Sequence, residues 1–307
     1  MIYDLIIVGA GSAGLSSAIY AGRAVLNTLI IDKSGFGGRI RDTAEILNYP
    51  GCESISGIGL VQKFREHAMS YSTNDFVYGT VTKVKKEDEY FVVSTRRKGD
   101  FKAKCVILGL GTVSRVLGLN GELDFQGHGV SYCATCDANM FIGKDIHILG
   151  SGDVALEEAD YLSKFANKVT MIVIHDEGIV DGTEIQKRRV MHNPKIEFMW
   201  NTALDEICGD DFVKEIVVKN LKTEEKKKIS SEGIFMFVGL KPQTKILQGL
   251  VDLDKDGFVK VNEFQQTSIE GLFAAGDCTN TYLRQVVTAA SDGAKAAVAA
   301  ERYIRRE

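Results

Sequence analysis

A chain of 307 residues is too long for one small core and suits two domains of ordinary size, with a cleft between them as a natural place for chemistry. The formal charge of -4 is near balance, which argues against a polyanion binder held by its overall field, so neither nucleic acid nor a membrane is expected as a partner. With 31 glycines and only 3 prolines, the composition favours repeated tight strand-to-helix turns and hence an α/β fold.

The N-terminus reads MIYDLIIVGAGSAG, an apolar run followed at once by glycines and preceded by no basic segment. It predicts a buried strand and not a signal peptide, and no later stretch is long and apolar enough to span a bilayer; the expected location is the cytoplasm. From Tyr3 to Lys33 the pattern is strand, G-x-G-x-x-G turn, helix and second strand. Gly9 makes the turn, Gly11 lets backbone amides approach a pyrophosphate, and Gly14 lets helix and strand pack closely. Asp32 closes the second strand, 21 residues after Gly11, and can accept from ribose hydroxyls.

Thr80 to Gly111 alternates in polarity around a charged turn at Glu87 to Glu89 and predicts a β-meander. Next comes GHGVSYCATCDANM. Of the six cysteines only Cys133 and Cys136 are closely spaced, and no second pair or histidine set completes a zinc site, so redox chemistry is expected and no metal. Thiol exchange proceeds through the thiolate, and Asp137 is placed to pass a proton. Lys144 to His175 repeats the strand, glycine turn, helix and strand, an internal duplication with Gly150, Ser151 and Gly152 in the turn and Ala155 in the third small position. Helix-to-strand packing needs small residues there whether or not a dinucleotide binds. A charged turn and the strand Ile234 to Val238 follow, and Lys226 to Lys228 read as a solvated hairpin. The segment GLFAAGDCTN and a long alanine-rich helix beginning at YLRQ then return to complete the first domain. The expected domains are 1–116 with 246–307, and an inserted 117–245.

Taken together, GAGSAG, NYPG (Asn48 to Gly51), GVSYCATCD, GSGDVALEEA, FVGLKPQT and GLFAAGDC with RQVVTAASDGAKAA resemble the low-molecular-weight thioredoxin reductases over nearly the whole chain. The resemblance implies two Rossmann-like, three-layer ββα domains, the second inserted into the first, a homodimer, FAD as cofactor and thioredoxin as partner. By position it puts Ser12 and Ala13 at the pyrophosphate, Asp32 and Lys33 at the adenosine end, and the Val81 backbone at the adenine. Gly38, Arg39 and Asn48 fall on the flavin side with Gly111. Gly276 and Asp277 meet the ribityl-phosphate stretch, beside Arg284, while Gln285 and Val286 face the flavin at the start of the last helix. Cys136 would lie nearest the flavin, Cys133 would attack the partner's disulfide, and Asp137 would act as general acid and base.

Two positions depart from the family. Gly109-Leu110-Gly111 replaces its Ala-Thr-Gly and keeps the last glycine. Where the family has His-Arg-Arg after the inserted domain's second strand, this chain has Val173, Ile174 and His175, and its further arginine falls near Ile179. A 2'-phosphate carries about two charges, and each lost charge-assisted contact costs roughly 1.5 to 3 kcal/mol. The chain is therefore most similar to the ferredoxin-dependent flavin thioredoxin reductases, which lack the NADPH motifs. Arg39, Arg41, Lys241, Lys245 and Arg284 are the cations offered for an acidic ferredoxin. The alternatives are an enzyme still using NADPH or NADH, and a flavin redox sensor without turnover.

Overall fold

The computed structural model describes residues 1–305. Met1–Val113 with Lys241–Glu307 form one compact unit and Ser114–Leu240 the other. The crossings fall at 113/114 and 240/241, a few residues before the 116/117 and 245/246 expected.

In the first unit the central strand Ile2–Val8 runs parallel to Thr28–Asp32 on one side and Gly99–Leu108 on the other. Its residues alternate between two cores: Leu5 and Ile7 join Leu15, Ala18 and Phe273 on the helical face, and Ile6 and Val8 join Val84, Phe91 and Val93 on the other. Burial on both faces is why the strand reads as one apolar run and not as an alternating one. The ten-residue strand Gly99–Leu108 serves three neighbours, antiparallel with Tyr90–Thr95 through its first half and parallel with Ile2–Val8 and Leu272–Ala274 toward its end. Val81–Glu87 completes the expected meander.

Helix Ser12–Arg23 packs along the last helix, Val286–Arg305. Their approach is close enough for Ser16 Oγ to donate to Ala290 O at 2.6 Å and Ser17 Oγ to Gly293 O at 3.0 Å. A side chain at Gly293 would overlap the Ala13 carbonyl, which is why small residues recur along this helix. The last helix begins at Val286, later than the YLRQ start expected from the sequence. Thr288 Oγ1 accepts from the Gln285 amide at 3.1 Å and holds residues 279–285 as an irregular approach to the first turn.

The second unit repeats the plan. Five parallel strands lie in the order Ile196–Met199, Lys168–Ile172, Asp145–Leu149, Ile234–Met236 and Val130–Ser131, beside an antiparallel sheet of Thr202–Gly209, Val213–Asn220 and Lys226–Ser230. The lysine run is exposed at the start of the last of these strands, one arm of an antiparallel hairpin with Val213–Asn220, as expected; Lys226 pairs with Asp205 at 2.8 Å and Lys228 with Glu215 at 2.7 Å. The second parallel strand stops at Ile172, short of the expected His175, as the chain turns toward residues 199–202: Val173 N donates to Met199 O, Thr202 N to Val173 O and Asn201 N to His175 O. No helix among the described residues is long and apolar enough to cross a membrane.

Candidate functional site

The first glycine turn is built to receive an anion. Gly9 has φ 106°, and a side chain there would overlap the Gly109 carbonyl; one at Gly14 would overlap that of Gly9. Gly11 differs, since a Cβ would meet only Gly37 O, at 3.9 Å, so the backbone faces open space. Gly11 also caps helix Ser12–Arg23 without any side-chain hydrogen bond, and the first turn holds no acidic residue. The Ser12, Ala13 and Gly14 amides thus present the positive end of the helix with no carboxylate in the helix's own first turn to offset it.

Asp32 is fixed beside this turn, its Oδ2 accepting from Ala10 N at 2.8 Å and its Oδ1 from Ser34 N at 2.7 Å. Asp32 O accepts from Gly79 N, which brings Val81, two residues on, toward the same end of the sheet. Lys33 turns instead to Gln243 Oε1 at 2.6 Å. Gly276, at φ 76°, lies so near the first turn that a side chain would come within 2.9 Å of Ala13 Cβ. Asp277 is half-buried beside it. Burial pushes its carboxyl up, opposed by the charges of Arg39 and then Arg284. Arg284 lies 4.0 Å over the Phe258 ring and donates to Asp277 O and Thr279 O. Asn48 Nδ2 donates to Gln285 Oε1 at 3.0 Å, joining two residues expected on the flavin side, just ahead of Val286. Gly38 opens the short helix Gly38–Asp42 that carries Arg39, and Gly111, at φ 62°, accepts from Gln243 N.

These features fit FAD. There is an open uncapped turn for a pyrophosphate, a strand-end carboxylate for a ribose and a half-buried carboxylate whose desolvation a hydroxyl donor would relieve. Of the five cations offered for ferredoxin, Arg39 and Arg284 are thereby engaged around Asp277, while Arg41, Lys241 and Lys245 are exposed.

In the second unit Cys133 and Cys136 form a disulfide, S–S 2.06 Å, at the start of the short helix Ala134–Asp137. Cys133 is its N-cap, and its Sγ accepts from Cys136 N at 3.2 Å, a donor that stabilises negative charge on that sulfur. Cys136 is the more exposed of the pair. Two supports escaped the sequence reading. Ser131 Oγ donates to Asp137 Oδ2 at 2.6 Å, and the fully buried Glu122 accepts from Leu117, Gly118 and Leu119 amides and from the Tyr132 hydroxyl at 2.7 Å. Burial raises the Glu122 pKa, but Tyr132 and the three amides outweigh it and the net shift is downward; the Tyr132 hydroxyl is pushed up by burial and by Glu122. Ser131 lies inside the SYCATCD motif, two residues before Cys133, where its spacing was a signal. Glu122 is too far along the chain to have given one.

The second glycine turn has the same backbone and different surroundings. Gly150 has φ 130°, and Gly152 caps helix Asp153–Leu162 with space around it. Here an acidic residue, Asp153, occupies the first turn, its Oδ1 accepting from Thr183 N at 2.6 Å. The segment after the second strand folds back over the turn: Asp181 N and Gly182 N donate to Ser151 O, and the Ser151 hydroxyl donates to Asp181 Oδ2 at 2.7 Å. His175 Nε2 reaches the same oxygen at 2.9 Å. The Ser151 hydroxyl, helped by His175 against the opposing effect of burial, holds Asp181 below the usual carboxylate range. Ile174 and Ile179 are exposed, and Asp176 is paired with Lys222.

Residues 3–293 match the family model described as pyridine nucleotide-disulphide oxidoreductase. The chain is 40% identical to a thioredoxin reductase of Peptoclostridium acidaminophilum, covering 99% of this chain and 97% of that one. Among solved structures it superposes on the thioredoxin reductase of Lactococcus lactis with a TM-score of 0.96 and 36% identity, over 99% of this chain and 100% of that one. It also matches a ferredoxin-flavin thioredoxin reductase of Clostridium acetobutylicum, with a TM-score of 0.54 and 30% identity over 99% of both chains.

Proposed function

The chain belongs to the pyridine nucleotide-disulphide oxidoreductase family and, within it, to the thioredoxin reductases, flavoproteins that carry FAD; from that premise we propose that reduced ferredoxin, and not a pyridine nucleotide, supplies its electrons. The observation that carries this reading is the absence of a cation among residues 173–183, where Asp181 instead lies on the second glycine turn. A dinucleotide on this turn would bring its phosphates toward Asp181 and Asp153, and Lys222, which pairs with Asp176 in the same segment, is already engaged. Like charge at that distance repels, and no arginine fork compensates.

In this reading FAD is held in the first unit by Gly9, Gly11, Ser12, Ala13 and Gly14 at its pyrophosphate, Asp32 and Val81 at the adenosine end, and Asp277 with Gln285 toward the flavin. Bound FAD supplies the conversion of single electrons into a pair. Two electrons and two protons open the Cys133–Cys136 bond into two thiols. Cys133 gives up its proton to Asp137, and its sulfur forms a bond to one sulfur of the thioredoxin disulfide. The other thioredoxin sulfur leaves and is protonated. Cys136 then loses its proton and displaces the first thioredoxin sulfur, re-forming the Cys133–Cys136 bond and releasing a dithiol. The amide on Cys133 Sγ favours Cys133 as the attacking sulfur.

A second reading, use of NADPH or NADH, draws on one observation: the turn at Gly150 and Gly152 keeps its backbone and its uncapped helix start. Anaerobic mixing separates the two. The oxidised yellow protein should bleach with reduced ferredoxin and form thiols on added thioredoxin, and stay yellow with NADPH or NADH. Bleaching by micromolar NADPH reverses the assignment, and bleaching by ferredoxin without thiol formation leaves a redox sensor. Cys136→Ser should keep its flavin and lose thiol production by at least about 10³-fold, by thiol counting; undiminished turnover would remove the disulfide from the electron path.

A further inference from the structure

Ser131 ends the edge strand Val130–Ser131, with its backbone opposite Phe235 and its side chain 3% exposed. Its hydroxyl has three partners. It donates to Asp137 Oδ2 at 2.6 Å, accepts from Cys133 N at 3.1 Å, and lies 3.2 Å from Cys133 O. A serine has one proton to give, and the shorter contact to a charged acceptor takes it when Asp137 is ionised. The Cys133 carbonyl is then a second acceptor within reach. When Asp137 carries a proton, its O–H can donate back to Ser131 Oγ while the serine proton turns to Cys133 O. The Asp137 carboxyl therefore keeps Ser131 as a hydrogen-bond partner in both protonation states.

Building on the acid–base reading of Asp137, we infer that Ser131 is a positioning residue of the thiol–disulfide exchange, fixing the Asp137 carboxyl against the backbone of Cys133 and serving as its partner whether or not it holds the proton. The proton that Cys133 gives up as its sulfur bonds to thioredoxin rests on Asp137, with Ser131 reversing its own hydrogen bond, and passes on to the departing thioredoxin sulfur. Ser131 itself neither gains nor loses a proton. Its position on a sheet strand, and not on the helix that carries the cysteines, makes it a fixed point against which Asp137 is held.

The test uses the whole flavoprotein, reduced anaerobically with stoichiometric dithionite so that the natural donor plays no part, and mixed rapidly with an oxidised bacterial thioredoxin. Ser131→Ala should slow thiol transfer about 10-fold with half-saturation by thioredoxin unchanged, while Asp137→Asn should slow it about 100-fold. In the Asp137→Asn background, Ser131→Ala should add less than about a twofold change, because the two act as one unit. Ser131→Thr and Ser131→Val have nearly the same shape and differ in the hydroxyl; Thr should stay within about threefold of the parent and Val should match Ala. That pair decides the matter even if Ala folds poorly. Equal slowing by Ser131→Ala in both backgrounds, or equal rates for Thr and Val, overturns the inference. A parental rate in Asp137→Asn alone removes the acid–base reading beneath it, which is a separate outcome.

Discussion

The two glycine turns share a backbone and differ in what stands over them. At Gly11 the helix start is open, carries no acid and sits beside a tethered Asp32; at Gly152 an acid occupies the first turn and Asp181 is drawn onto Ser151 by its hydroxyl and by two backbone donors. The same duplicated motif thus yields one anion cradle and one turn that has supplied its own carboxylate. A glycine fingerprint reports on backbone packing first and on ligand binding only through the residues that arrive from elsewhere in the chain.

The comparison breaks most visibly between Gly14, the third small position of the first turn, and Gly152, the second glycine of the other, which already carries Ala155 in third place. Gly14→Ala would drive a methyl into the Gly9 carbonyl and should cost on the order of 4 kcal/mol or more with loss of bound flavin, whereas Gly152→Ala, which meets nothing within 4 Å, should leave flavin content and melting temperature near the parent's. Flavin absorbance against protein concentration reads both.

Acid sharpens it next. The first unit has Ile6 where the second has His147, each buried in the strand before its turn. Burial, with Lys168 nearby, lowers the His147 pKa from 6.5 to about 4. Its folded pKa is depressed, so the folded state is favoured fully above pH 6.5, and that share of stability is lost as pH falls toward 4, amounting to about 3 kcal/mol. His147→Ile should flatten the acid limb of chemical denaturation followed at Trp200, in the second unit; an unchanged limb would assign the acid sensitivity to other groups.

The smallest effect concerns the closed turn. Asp181→Ala should raise the affinity of ADP for the second unit about tenfold, near 1.4 kcal/mol, by calorimetry on flavin-loaded protein. No gain would show that Asp181 merely caps the turn and does not exclude anions from it.

Much of this was legible in the chain. Alternation between two apolar cores made Ile2–Val8 readable as a buried strand, and correct spacing made Gly9, Gly11, Gly14 and Asp32 readable as one site. Cys133, Cys136 and Asp137 stood in a single motif. The contacts that decide local chemistry were less visible. Asp181 is tied to Ser151 across 30 residues, and Glu122 reaches Tyr132 through a buried side chain that spacing does not reveal. The late start of the last helix depends on Thr288 gripping the Gln285 amide, a choice that alanine-rich propensity alone does not make. The second strand ended early because residues 199–202 competed for its backbone.

The seam between Ser12–Arg23 and Val286–Arg305 also sets an order of events during synthesis. The inserted unit has all of its strands once residue 240 has left the ribosome, so its cystine-bearing helix can mature while the nascent chain is still growing. The first unit cannot close until the final helix, nearly three hundred residues downstream of the first glycine turn, comes back to cover Ala13. A premature stop before Ala290 would release a molecule with a finished thiol module and its first helix uncovered.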